Sequence, residues 1–245
     1  MHDSTFAPRE RVLAVLDDTL DAARVIEWSA SLALTLRRDL GIVYVQSTAA
    51  LVAASLPFTQ VLEPAGAQWA PFAPLDVERG YRAQAELLRS LAERTAQRHD
   101  LSWSLRTMRG ALPQLVFDAF AESDLLFLGP LPALRLNPPG ALPRIAKRRL
   151  QLAVVSDGSE AGAQVVALAT RLADALSASL HVIRIEPDGP PGASVLQSAA
   201  AHADLLVLPR TLASPGNLAR LSCPALLVAR LASDAVRLRP AGVVA

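Results

Sequence analysis

Residues Arg11–Thr19 read RVLAVLDDT, and residues Leu150–Ser159 read LQLAVVSDGS. Each is a short, nearly unbroken apolar run, which is the pattern of a β-strand covered on both faces. Each ends in a cluster of short polar residues able to cap a helix, because a side-chain oxygen there accepts an orphan backbone N–H; Asp18 or Thr19 suits this role in the first stretch. A second pair of stretches repeats the likeness: ESDLLFLGP at 122–130 and HADLLVLPR at 202–210. Two matched strands in the same order within each half make an internal repeat, and the copies are unequal. From Arg11 through Leu128 the first takes 118 residues, and from Leu150 through Leu208 the second takes 59. The shorter copy lacks a helix and the strand after it, since Ile185 runs through GPPG almost directly into the helix before DLLVL.

Outward from these anchors, strands and helices alternate. A helix over Asp21–Arg38 places Val25, Ile26, Ala30, Ala33 and Leu34 on one stripe at helical spacing. Gly41–Val45 is a second strand. Residues 82–98 form an amphipathic helix with Leu87, Leu88, Leu91 and Ala92 inward and Arg82 four residues before Glu86 on the outer side. Leu101–Met108 is a third strand, Leu112–Ala121 a helix and Asp124–Leu128 a fourth strand. In the second half Leu150–Val155, Leu180–Ile185, Asp204–Leu208 and Ala225–Ala229 read as strands, with helices over Ser159–Leu176 and Ser194–His202. Strict rotation of strand and helix implies right-handed crossovers and parallel sheets with helices on both faces. The domain reading is residues 1–149 and 150–245. Between Gly129 and Pro143 five prolines leave no room for regular structure. Leu150–Val155 can be read both as the end of the first copy and as the start of the second, which predicts that the two share one continuous or closely coupled sheet system.

Composition narrows the function. Among 245 residues, 24 Lys and Arg stand against 23 Asp and Glu, a net charge of +1. That balance speaks against a dedicated nucleic-acid binder. One cysteine, Cys223, forms no internal disulfide and gives no sign of an oxidising compartment. The polar start MHDSTFAPRER has no apolar core of a secretory signal, so the expected location is the cytoplasm. Hydrophobic residues make up 51%, and the uncharged run Leu40–Leu62 is long enough to cross a bilayer. It is broken by Gln46, Ser47, Thr48, Pro57 and Gln60 and opens as a strand, so no membrane insertion is expected.

These residues resemble the universal stress protein family in tandem form. The resemblance is carried by a first strand ending in Asp (Asp17 and Asp157), a Gly before the third helix (Gly110 and Gly192), the DLL strands, and SCPALLV at 222–228, which is similar to the family's closing Cys-Pro strand. It implies a flavodoxin-like or Rossmann-like fold of five-stranded sheets, usually dimeric, with roles in stress survival and regulation and few turnover reactions. In ATP-binding members the Asp after the first strand and the backbone of the second strand hold the adenosine, which would fall on Asp17 and Val45 here, and on Asp157 in the second copy. A loop of Gly, two residues, Gly, nine residues, Gly and Ser/Thr wraps the phosphates. Phosphate oxygens need converging backbone N–H groups, which glycine allows. Gly129 fits the first position, but Pro132, with no N–H, stands at the second. Gly140 lies eleven positions after Gly129 where the pattern needs thirteen, and Ala141 replaces the hydroxyl. In the second copy Pro209 occupies the first glycine position. Each bond to a charged phosphate contributes about 1.5–3 kcal/mol, so losing two weakens binding about a hundredfold or more.

The resulting expectation is a non-enzymatic regulatory or interaction protein with nucleotide binding lost and no cofactor. The alternative is an AMP- or ATP-binding regulator using Asp17, Val45, Gly129 and Gly140. Asp17 and Asp157 also fit plain helix capping, and the basic run Arg144, Lys147, Arg148 and Arg149 fits a solvated helix face. The four histidines have no metal-ligand spacing, and Cys223 beside Pro224 fits a buried thiol. Ser156–Ser159 is only faintly similar to a pyrophosphatase loop, with Asp157 in a glycine's place. The stretch Leu51–Leu75 carries Phe58, Trp69 and Phe72 among four prolines and one charge. It reads as a long loop, either folded over the sheet edge or serving as a surface for a protein partner or a second copy.

Overall fold

The computed structural model describes residues 11–17, 22–63, 68–111, 115–116, 125–129, 149–185, 193–218 and 221–229. In the first half the elements are β1 (Arg11–Leu16), α1 (Ala22–Leu36), β2 (Asp39–Ser47), α2 (Thr48–Ser55), β3 (Gln60–Glu63), β4 (Gln68–Pro71), α3 (Pro74–His99), β5 (Trp103–Gly110) and β6 (Leu125–Leu128). In the second half they are β7 (Gln151–Ser156), α4 (Glu160–Ala175), β8 (Ser179–Arg184), α5 (Ala193–His202), β9 (Leu205–Pro209), a 3-10 turn (Arg210–Leu212), α6 (Pro215–Leu218) and β10 (Ala225–Val228).

Eight strands form one sheet in the order β5-β2-β1-β6-β10-β9-β7-β8. All neighbours are parallel except β6 and β10, which run antiparallel with Phe127 opposite Leu226. This is the expected flavodoxin-like α/β architecture, in which strands buried on both faces alternate their side chains between two helical layers. On one face Val12, Ala14, Phe127, Leu226, Val207 and Val154 share a core with α1 and α4. These two helices touch each other over that face. On the other face Leu13, Val15, Leu126, Leu227, Leu206 and Val155 pack with α5 and the segment at Leu115–Val116. Both cores run through both halves of the chain.

The sheet is therefore continuous, but the strand at the junction is not Leu150–Val155. β7 lies inside the second half, between β8 and β9. The strand that joins the halves is β10, parallel to β9 on one side and antiparallel to β6 on the other. Hydrophobic pattern could not reveal this, because a strand buried on both faces reads alike whichever neighbours it takes.

The long loop expected over Leu51–Leu75 is also replaced. Its residues form α2, the hairpin β3–β4 and the start of α3, which begins with Pro74 at a first-turn position where the missing N–H costs nothing. Two inward assignments change as well: Leu34 and Leu87 are exposed, whereas Leu32, Leu88 and Ala92 are fully buried. On the outer side of α3, Glu86 approaches Arg89 at 3.8 Å, its neighbour three residues on, where Arg82 was the expected partner. Among the described residues no helix is long and apolar enough to cross a membrane.

Candidate functional site

In an open α/β sheet, ligands sit beyond the carboxyl ends of strands where the winding reverses direction. The topology creates two such points, between β1 and β6 and between β7 and β9. Asp17 follows β1 and Gly129 follows β6, and the register pairs Val15 with Leu128, so both lie at adjacent strand ends. Val45 is buried in β2, one step beyond the pairing of Leu16 with Tyr44. The fold thus brings Asp17, Val45 and Gly129 to one edge. Gly140, Gly192, Pro132, Asp18, Thr19 and the basic residues 144–148 lie outside the described residues.

In the second half the edge is described in more detail. Asp157 follows β7, and Gly158 turns the chain with φ of +75°, a left-handed conformation that glycine adopts without strain. Ser159 caps α4, its hydroxyl accepting from the Gly162 N–H at 3.0 Å. That hydroxyl donates to Asp157 Oδ1 at 2.5 Å, and the Ser159 N–H donates to the same oxygen at 3.0 Å. From across the crevice, Thr211 in the turn after β9 donates to Asp157 Oδ2 at 3.5 Å. The hydroxyl and N–H of Ser159 hold the Asp157 carboxyl below the usual carboxylate range, with a smaller contribution from Thr211 and partial burial acting in opposition. Gly162 makes this arrangement possible. A Cβ there would lie 2.6 Å from both Asp157 Oδ1 and Ser156 Oγ, so only glycine lets α4 start against the carboxylate.

A second polar network stands at the carboxyl ends of β2 and β5. Gln46 and Arg109 are cross-strand neighbours, and Arg109 Nε donates to Gln46 Oε1 at 3.0 Å. The same guanidinium reaches Glu78 of α3 at 2.7 Å. The Tyr81 hydroxyl donates to the Ser47 carbonyl at 2.7 Å. These contacts pin α3 over the end of β2. No local spacing links Glu78 or Thr211 to its partner; for Arg109, aligning β2 and β5 as parallel neighbours would have been the only signal.

Two solved structures are similar to the chain over most of its length. One is a universal stress protein from Archaeoglobus fulgidus DSM 4304, 11% identical, covering 91% of this chain and 98% of that one with a TM-score of 0.49. The other is a protein assigned as a universal stress protein from Pseudomonas aeruginosa UCBPP-PA14, 11% identical, covering 90% and 93% with a TM-score of 0.45. The chain is similar to universal stress proteins of known structure. No family model and no curated protein matches it.

The aromatic candidates divide. Phe58 is 97% exposed in a left-handed turn with φ of +72°, and Trp69 on β4 is 67% exposed. Phe72 instead is half-buried and packs on the core shared with α1. Val52, Leu56, Val61 and Leu75 on the same stretch of chain are also exposed. Cys223 is buried. Among the described residues no three His, Cys, Asp or Glu side chains are grouped to hold a metal ion.

Proposed function

We propose that the chain is a non-enzymatic, universal-stress-like regulatory or interaction protein of the cytoplasm, built of two unequal copies (1–149 and 150–245), in which nucleotide binding is lost. The observation that carries this reading is the engagement of both Asp157 oxygens within the protein, by Ser159 and by Thr211 from the opposite side of the crevice. A carboxylate so used ties the Ser159 cap to the turn after β9, and a ligand hydroxyl would have to compete with these contacts for it. The prolines at 132 and 209, where the resembling loop needs glycine, support the same reading for the phosphates.

One observation favours the alternative of AMP or ATP held by the first half: Asp17 and Gly129 end adjacent strands beside the β2 backbone at Val45. Thermal melting with millimolar ATP and AMP separates the two. A ligand at 100 times its dissociation constant adds about 2.7 kcal/mol, which for a chain this size raises the melting temperature by roughly 5–11 °C. The expected result is no shift, and a clear rise with either nucleotide would establish the alternative.

The interaction surface is assigned to Phe58 and Trp69, because exposed aromatic side chains are the commonest anchors of protein interfaces. Phe58→Ser with Trp69→Ser is expected to abolish partner association, read by co-purification from the native host, while leaving the melting temperature within about 1–2 °C, as for exposed positions. Full retention of the partner would remove this surface from the account.

A further inference from the structure

Parallel strands bring the turns that precede them together at the amino end of the sheet, opposite the crevices described above. Leu40 of β2 pairs with Trp103 of β5, and its N–H donates to Ser102 O at 3.0 Å. Arg37 and Asp100 each stand three residues before that pair, and they close α1 and α3 respectively. Both have left-handed backbones, with φ of +53° and +49°. The same turn closes α4 at Ser177, with φ of +51°, so the conformation belongs to the fold. What is particular to the first half is the pair of opposite charges carried there. Between the two turns lies an open basin of about 610 Å³, within the span of small-molecule sites, about 300–1,000 Å³. Two of its charged residues, Arg38 and Asp39, are engaged within the protein. The other two, Arg37 and Asp100, are exposed. Neither of their side chains has a hydrogen-bond or ion-pair partner among the described residues. Leu34, which is exposed, and Leu101, which is half-buried, supply an apolar wall.

We propose that this basin binds a free, zwitterionic amino acid with an apolar side chain. Two arginines against two aspartates leave the lining with no net charge, which matches neither a plain anion nor a plain cation. A zwitterion answers both uncommitted groups at once. The Arg37 guanidinium donates a forked pair of hydrogen bonds to its carboxylate, and its ammonium donates to the Asp100 carboxylate. The carboxyl ends of α1 and α3 add partial negative charge, which favours the ammonium and disfavours a phosphate. With both charged groups held at the turns, the ligand's side chain lies against Leu34 and Leu101. A peptide terminus would supply only one of the two charges, so the small molecule fits and the chain end does not. The inference goes beyond the proposed function and holds whether or not a nucleotide binds at the opposite end of the sheet.

Titration of the full chain with leucine, followed by two-dimensional amide NMR, tests it. Saturable shifts are expected at Arg37, Asp100 and Leu101. Leucinamide lacks the carboxylate and isocaproate lacks the ammonium, so each should bind at least about tenfold more weakly. Glycine, with nothing to lay on Leu34 and Leu101, should also bind more weakly than leucine. Arg37→Gly and Asp100→Gly should each cost at least about tenfold in leucine affinity without lowering the melting temperature, because glycine takes the left-handed turn without strain. The loss of binding is thereby separated from any loss of fold. An absence of saturable shifts at tens of millimolar leucine would overturn the proposal. So would leucinamide or isocaproate binding as well as leucine, shifts centred on Asp17 or Asp157, or unchanged affinity in either glycine variant.

Discussion

Phe127→Ala is expected to destabilise the entire chain by about 3–5 kcal/mol, the usual result of deleting a buried aromatic ring. Phe127 has no exposed surface, and its strand lies between Ala14 of β1 and Leu226 of β10. Its ring therefore belongs to the core that both halves share, on the face where α1 meets α4. Truncation opens a cavity at the seam and weakens both halves at once. At about 2–4 °C per kcal/mol for a chain of this length, the melting temperature should fall by roughly 6–20 °C. Circular dichroism and near-ultraviolet signals should fall together. A loss confined to one half would mean that the seam carries little of the stability.

Gly162→Ala should destabilise by about 1–3 kcal/mol, the ordinary cost of forcing a group into filled space. The sign is what makes the experiment informative. In an exposed helix, Gly→Ala gains up to about 1 kcal/mol. Here the added Cβ meets Asp157 Oδ1 and Ser156 Oγ at 2.6 Å, and neither is the far end of a long flexible side chain. Relief would require moving the carboxylate away from Ser159 and Thr211, or shifting the first turn of α4 off its Ser159 cap. Urea unfolding of Gly162→Ala, and of the same change combined with Asp157→Ala, reads this out. The double variant should lose less than the sum of the singles, because removing the carboxylate frees the space. A rise in stability for Gly162→Ala alone would mean that the loop is looser than its hydrogen bonds imply.

Much of the fold was legible in the sequence because its strands are parallel and buried on both faces, so RVLAVL, LQLAVV, DLLFL and DLLVL stand out as apolar runs bounded by polar caps. Capping of α4 was assigned to Asp157, but Ser159 two residues on is the cap, and Asp157 accepts from its hydroxyl and N–H instead. The segment from Leu51 to Leu75 was misread because its prolines resemble loop punctuation. Pro74 in fact opens α3 and Pro71 ends the short strand β4, positions where a missing N–H is tolerated. Leu87 was placed inward from helical spacing, but α3 buries a narrow stripe through Leu88 and Ala92, and its neighbour on the helix faces solvent. At the site, pattern set Asp17 and Asp157 just after apolar strands, while their selection as site residues, together with Val45 inside β2, came only from the family resemblance. Thr211 and Arg109 were missed because their partners are 54 and 63 residues away, and only the sheet order brings them together.

The identity of the joining strand could not be read from pattern at all. SCPALLV looks like the closing strand of the second copy, and it is, but its last four residues, Ala225–Val228, also pair with β6 of the first. This double use makes one structural unit of two sequence halves. Differential scanning calorimetry of the intact chain tests that claim most directly. Shared cores on both faces predict a single transition whose calorimetric and van't Hoff enthalpies agree, displaced as a whole by Phe127→Ala. Two resolved transitions, only one of them moved by Phe127→Ala, would contradict it.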